Sequence, residues 1–247
     1  MQRNIKSLIG CSMEATDGEI GKVDEFYFED TNWVIRYIIL KTGNWFLNRK
    51  VLISPQALVK RETEASLFPV NLSKEQIRTS PDIDTDKPVS KQQDIALYGH
   101  YAWQRYGGSG FYAGGSAAVM DNVPMIDKKI LTEADPNDKR SDDDIHLRSS
   151  KTITGYHIHA SDGDFGHVSD FIFDDTNWKI MFLVAESHNW FGGEKFLIET
   201  GTIKEIQWEN SKVIVNISAD MIKACALFDE LQFKHSQSVS APLKNSL

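Results

Sequence analysis

The chain has 247 residues, 41% hydrophobic, 25% charged and 11% aromatic, with 27 Lys+Arg against 35 Asp+Glu. Those fractions lie close to globular averages and exclude a collagen-like, mucin-like or wholly disordered chain. The formal net charge of −8 sets the summed field against polyphosphate backbones and anionic headgroups, so nucleic acid is not an expected partner. No stretch reaches the roughly 18–20 apolar residues that span a bilayer. The longest candidate, Phe111 to Met120, is interrupted by Gly114 and Gly115. After the basic start at Met1 to Lys6, Asp17, Glu19 and Lys22 arrive too soon for the apolar run of an export signal. The expectation is a soluble, cytoplasmic protein. The two cysteines, Cys11 and Cys225, read as reduced, buried thiols rather than a disulfide framework.

Internal duplication organises the chain. A constant shift of 145 lays Gly10–Asp84 on Gly155–Asp229 without a gap, with about a third of the paired positions identical. In chain order, Asp17-Gly18 and its copy Asp162-Gly163 stand between extended runs, where a two-residue Asp-Gly link predicts a type I′ hairpin turn. Gly21 and Gly166 follow. The partly alternating runs Val23–Phe28 and Val168–Phe173 predict strands with one face in a core. Turn formers at 29–32 and 174–177 lead to strands opened by Trp33 and Trp178, rich in aromatic and β-branched residues. Further strands are predicted at 51–53, 68–72, 195–198, 203–208 and 212–217.

A helix closes each unit. Ser73-Lys74-Glu75-Gln76 has capping-box spacing, and Ser218-Ala219-Asp220 opens the second helix, predicted to run as far as Leu231. Pro81 stops the first. Short, closely spaced strands argue a small barrel or sandwich. The expected organisation is a first unit over 1–84, a linker over 85–148, a second unit over 149–235 and a frayed tail over 236–247. The linker predicts a helix from about Ser90 to Tyr98, an aromatic cluster of Tyr98, His100, Tyr101, Trp103 and Tyr106, then glycine-rich and acid-rich flexible stretches.

The run Asp17-Gly18-Glu19-Ile20-Gly21-Lys22-Val23-Asp24-Glu25-Phe26, repeated at Asp162–Phe171, resembles the PRC-barrel family, as do the aromatic-led strand after it and the strand from Lys50 to Ile53. That family is named for the cytoplasmic domain of the H subunit of the purple-bacterial photosynthetic reaction centre. The resemblance implies a mainly β fold of two small barrels, each followed by a short helix. It also implies docking to protein rather than a reaction: the reaction-centre subunit is an anchored scaffold, and another relative, a ribosome-maturation factor, binds a ribosomal protein. The implied function is a non-enzymatic scaffold or adaptor without a cofactor and without the reaction-centre subunit's membrane anchor. Homo-oligomerisation and peripheral association with a membrane complex are compatible with it.

Few residues suggest chemistry. His157 and His159 stand two apart on a predicted strand, a spacing metals can use. Their counterparts Ser12 and Glu14 argue instead for a solvent face whose composition has drifted; a metal- or small-ligand-binding sensor is the alternative reading. Asp142-Asp143-Asp144 lacks EF-hand spacing, and Gly107–Gly110 lacks the P-loop lysine. Trp33 and Trp178 read as structural, since an aromatic ring dominates a small core. Trp45-Phe46 and Trp190-Phe191 fall in predicted connections. With Tyr98, Tyr101, Trp103 and Tyr106 they are the candidates for inter-barrel packing or a partner surface.

Overall fold

The computed structural model describes residues 1–43, 46, 49–59, 67–81, 97, 99–101, 147–187 and 193–230. The remaining linker residues and the tail lie outside the described residues. Each unit is built from strands at the predicted places, but the two 12-residue strands bury both faces rather than one in their second halves, where Phe26, Tyr27 and Phe28, and likewise Phe171, Ile172 and Phe173, are all buried. The first holds β2 (Ser12–Ala15), β3 (Gly18–Glu29), β4 (Val34–Thr42), β5 (Lys50–Ile53) and β6 (Leu67–Pro69). The second holds β8 (His157–Ala160), β9 (Gly163–Asp174), β10 (Lys179–Ser187), β11 (Lys195–Glu199), β12 (Ile203–Gln207) and β13 (Lys212–Val215). In the first unit β6 lies parallel to β2, and β3, β4 and β5 follow antiparallel; the second repeats the pattern, with β13 parallel to β8. Single 3-10 turns, Pro55–Ala57 and Thr200–Thr202, make the corner that completes each small barrel. Alternation puts Met13 and Ala15, and likewise Ile158 and Ala160, into the core.

The Asp-Gly pair sits one position away from its expected role. Ala15 lies opposite Gly18 and Ala160 opposite Gly163, so the hairpin link is Thr16-Asp17 and Ser161-Asp162, not Asp-Gly. The aspartates serve the closing helices. Asp17 Oδ1 accepts the Lys74 amide at 2.8 Å and Asp162 Oδ1 the Ala219 amide at 2.8 Å, satisfying N-terminal amides that a helix leaves unpaired. Gly18 and Gly163 then take φ of +125° and +145°, where a side chain is strained. Gly21 and Gly166 meet a different demand: an added Cβ would stand 2.3 Å from the Lys41 carbonyl oxygen and 2.0 Å from that of Glu186.

The helices that close the units are α1 (Lys74–Arg78), with the Ser73/Gln76 capping box formed, and α3 (Ala219–Lys223), where Ser218 accepts the Met221 amide; Leu97 and residues 99–101 are helical too. A short helix, α2 (Ser150–Ile153), leads into the second unit. The helix expected to reach Leu231 stops at Lys223. Beyond it Ala226 and Phe228 run beside β11, bonded to Leu197 and Lys195, because that strand edge offers backbone groups an extended chain can pair. Among the described residues no helix is long and apolar enough to cross a membrane.

The units exchange strands. β1 (Gln2–Asn4) pairs with β9 of the second unit, and β7 (Leu147–Ser149), its equivalent at the shift of 145, pairs with β3 of the first. Registers match: Arg3 faces Phe173 and Arg148 faces Phe28. The β4 and β10 starts also meet, Ile35 donating to the Trp178 carbonyl and Ile180 to that of Trp33. One hydrogen-bonded sheet path and one apolar core therefore run through both units.

Candidate functional site

Six aromatic rings fill the join. Phe28 stacks on Trp33 at 5.3 Å and Phe173 on Trp178 at 5.1 Å, while Phe28–Phe171 (5.5 Å) and Phe26–Phe173 (6.3 Å) cross between units. Trp33 and Trp178 precede their strands rather than opening them. Their φ values of 63° and 59° are held by amide bonds back to Glu29 and Asp174, a conformation that persists in a non-glycine residue only where its surroundings impose it.

Polar groups seal the same join in matched pairs. Arg3 Nε bonds Asp175 at 2.6 Å, and Arg148 Nε bonds Asp30 at 2.5 Å. The buried acids Asp170 and Glu25 are equivalents: Asp170 accepts from the Asn4 side chain and from the Lys6 and Phe171 amides, and Glu25 from the Ser149 hydroxyl and Lys50. Burial pushes the Asp170 carboxyl above its ordinary value against those bonds. Burial acts in the same direction on Asp24 and Asp175, but ion pairs with Lys50 and Lys151 for the one, and with the Met1 amine and Arg3 for the other, hold both below.

A groove of about 690 Å³ opens beside the join. Its walls are the turn Asp30–Trp33 of the first unit, Arg148, Lys179, the 3-10 turn at Thr200 and residues Ile203–Ile206 of β12. Next to it Trp208 is 46% exposed, edge-on to Tyr156 and with the Arg148 guanidinium 6.0 Å over its ring.

Phe46 is partly buried under the Arg49 guanidinium, 5.2 Å from its ring. Tyr101 is buried against the first unit beside Leu97, its hydroxyl pushed up by burial, and His100 Nε2 lies 2.8 Å from the Gln76 carbonyl. Trp45, Trp190, Phe191, Tyr98, Trp103 and Tyr106 lie outside the described residues, as does the predicted helix before Leu97. His157 faces His167 across the strands, and His159 bonds Asp164 at 2.7 Å, which lowers that carboxyl. Among the described residues no group of three or more His, Cys, Asp or Glu is placed to hold a metal ion. Cys11 and Cys225 are free thiols, raised by burial. No motif in the sequence singles out Arg3, Arg148, Lys179, Lys204 or Trp208. The identity of Arg3 and Arg148 at the repeat shift was the available signal for the first two.

A comparison with curated proteins finds no match. The PRC-barrel domain model matches residues 2–73 and 153–222. The first match takes in β1 and ends at the Ser73 cap; the second runs from the end of α2 into α3. Two matches of one domain model, over more than half of the chain and on two units with the same strand pairings, place this protein in the PRC-barrel family as a tandem member.

Proposed function

We propose that the protein is a non-enzymatic, cytoplasmic scaffold whose two barrels act as one rigid docking body for a protein partner. The observation that carries this reading is the reciprocal exchange of β1 and β7 about a shared aromatic core. A strand-exchanged join fixes the distance and angle between two barrels, which suits a platform, whereas a tether would suit independent modules. The repeated residues support the same reading, because they are spent on shape: Asp17 and Asp162 on helix ends, Gly21 and Gly166 on close approach, Trp33 and Trp178 on the join. Trp208, half exposed and braced by Tyr156 and Arg148, is the aromatic type enriched at interface centres.

The test is crosslinking in host cells followed by affinity capture of the full chain. A protein recovered reproducibly, and lost when Trp208 is changed to Ser, is the expected result. Recovery of no protein above the untagged control would remove the scaffold reading. Stoichiometric metal in elemental analysis would favour a sensor built on the second barrel.

A further inference from the structure

The groove beside the join has walls that the duplication does not explain. Lys179 and Lys204 both line it, and their counterparts at the shift of 145 are Val34 and Val59. Val34 opens β4 as Lys179 opens β10, and Val59 follows Leu58, whose bridge to Val70 matches that of Ile203 to Val215, so neither local pairing demands a cation. Arg148, the third cation of the groove, is committed to Asp30. Lys179 and Lys204 have no carboxylate within ion-pair distance among the described residues, and Glu205 is bonded to Gln207. On a chain of net charge −8, three cations, Arg148, Lys179 and Lys204, line this groove against two carboxylates, Asp30 and Glu205, which leaves a local excess of positive charge.

The second observation concerns the backbone. β12 pairs with β13 on one side, and its other edge carries no strand among the described residues. Residues Ile203–Ile206 of that strand form a groove wall. An unpaired strand edge presents amides and carbonyls at the spacing an extended chain needs, and addition of a peptide strand there supplies affinity through main-chain bonds while side-chain positions supply selectivity.

We propose that this groove binds an extended acidic segment of a protein partner, which adds to the free edge of β12 and sets its carboxylates against Lys179 and Lys204. The proposal rests on the scaffold reading and names the chemistry of what docks. A compact anion would satisfy the lysines and leave the strand edge unused; a neutral or basic segment would use the edge and leave the lysines unmatched. The acidic strand uses both.

The test uses the full chain, 15N-labelled, titrated with blocked octapeptides in which Thr alternates with Glu, Gln or Lys. The Glu peptide is expected to shift the amides of Ile203–Gln207 and to bind about five- to tenfold more tightly than the Gln peptide, as two exposed charge contacts allow. That advantage should shrink at about 0.5 M salt, where the screening length falls to about 4 Å. It should vanish in K179V/K204V, which gives the second unit the residues the first already carries and therefore preserves the fold. Equal binding of the three peptides, shifts confined to other strands, or undiminished binding by K179V/K204V overturns the proposal. So does inorganic phosphate that moves these amides when the Glu peptide does not, which would make this a small-anion site. The host crosslinking capture separates the two levels. A partner retained equally by wild type and K179V/K204V removes the groove and keeps the scaffold; specific Glu-peptide binding with no captured partner keeps the groove and removes the scaffold.

Discussion

Truncating Phe28 to Ala probes the join at its centre. The ring is fully buried, stacked on Trp33 within its own unit and tilted against Phe171 of the other. Removing it strips the larger part of an aromatic burial of roughly 150–250 Å². At about 25 cal/mol/Å² that is an upper figure of about 4–6 kcal/mol for the whole side chain. Partial collapse of the site brings the expected loss to about 3–5 kcal/mol, or about 6–20 °C in Tm for a cooperative body of this size. Phe173→Ala should cost a similar amount, since Phe173 makes the equivalent contacts with Trp178 and Phe26. The Phe28–Phe171 pair should show a coupling of about 0.5–1.5 kcal/mol in a double-mutant cycle. Urea unfolding followed by far-ultraviolet circular dichroism and by tryptophan fluorescence supplies the readout. One transition, shifted as a whole in both signals, is expected. A loss below about 1 kcal/mol, or two transitions of which only one moves, would refute a shared core.

Asp17→Ala and Asp162→Ala should each destabilise the protein by about 0.5–2 kcal/mol in the same unfolding assay, because each removes one acceptor from a helix start; opposite or unequal effects would contradict the equivalence of the two units. Gly166→Ala drives a Cβ to within 2.0 Å of the Glu186 carbonyl oxygen, so β9 and β10 must part and the loss should exceed about 3 kcal/mol, or the protein should fail to fold; a neutral result in thermal unfolding would contradict the close approach. Asp170 gives a pH test. Its folded-state pKa is raised by burial, so the ionised form costs stability at neutral pH, and stability from this group rises as pH falls through the folded value toward the unfolded value near 3.9. Asp24 and Asp175 have the opposite sign: their pKa values are lowered, so their contribution is present above about 3.9 and is lost as pH falls through the folded values below it. Asp170→Asn removes the titrating carboxyl, so it should raise the urea midpoint at neutral pH and abolish the rise above pH ~4; its new amide meets Asn4 Nδ2, which now donates to Asp170, and pairs once the Asn4 amide turns over to present Oδ1. A lower midpoint at pH 7 would contradict this.

The barrel strands were legible because each copy carries the alternation a half-buried strand requires, at positions such as Met13, Ala15, Ile158 and Ala160. The Ser73 cap was legible for the same local reason. The hairpin link was misplaced by one residue. Asp17-Gly18 has favourable turn chemistry, but the amide that draws Asp17 lies 57 residues away on Lys74, beyond any local pattern. The strand exchange was hidden because β1 and β7 have three residues each, too few to show a period. Only Arg3 and Arg148 mark it at the repeat shift. The groove follows from that exchange, since β7 carries Arg148 to a turn of the other unit. Comparing the copies reveals that Val34 and Val59 become Lys179 and Lys204, but not that the two lysines line one groove.

The interlock itself is tested most directly by native-state hydrogen exchange of the full chain in increasing denaturant. If the units share one core, the amides paired across the exchanged strands and the deepest amides of β3 and β9 should converge on a single opening free energy. Exchange of one whole unit at a lower free energy, with the other still protected, would contradict it.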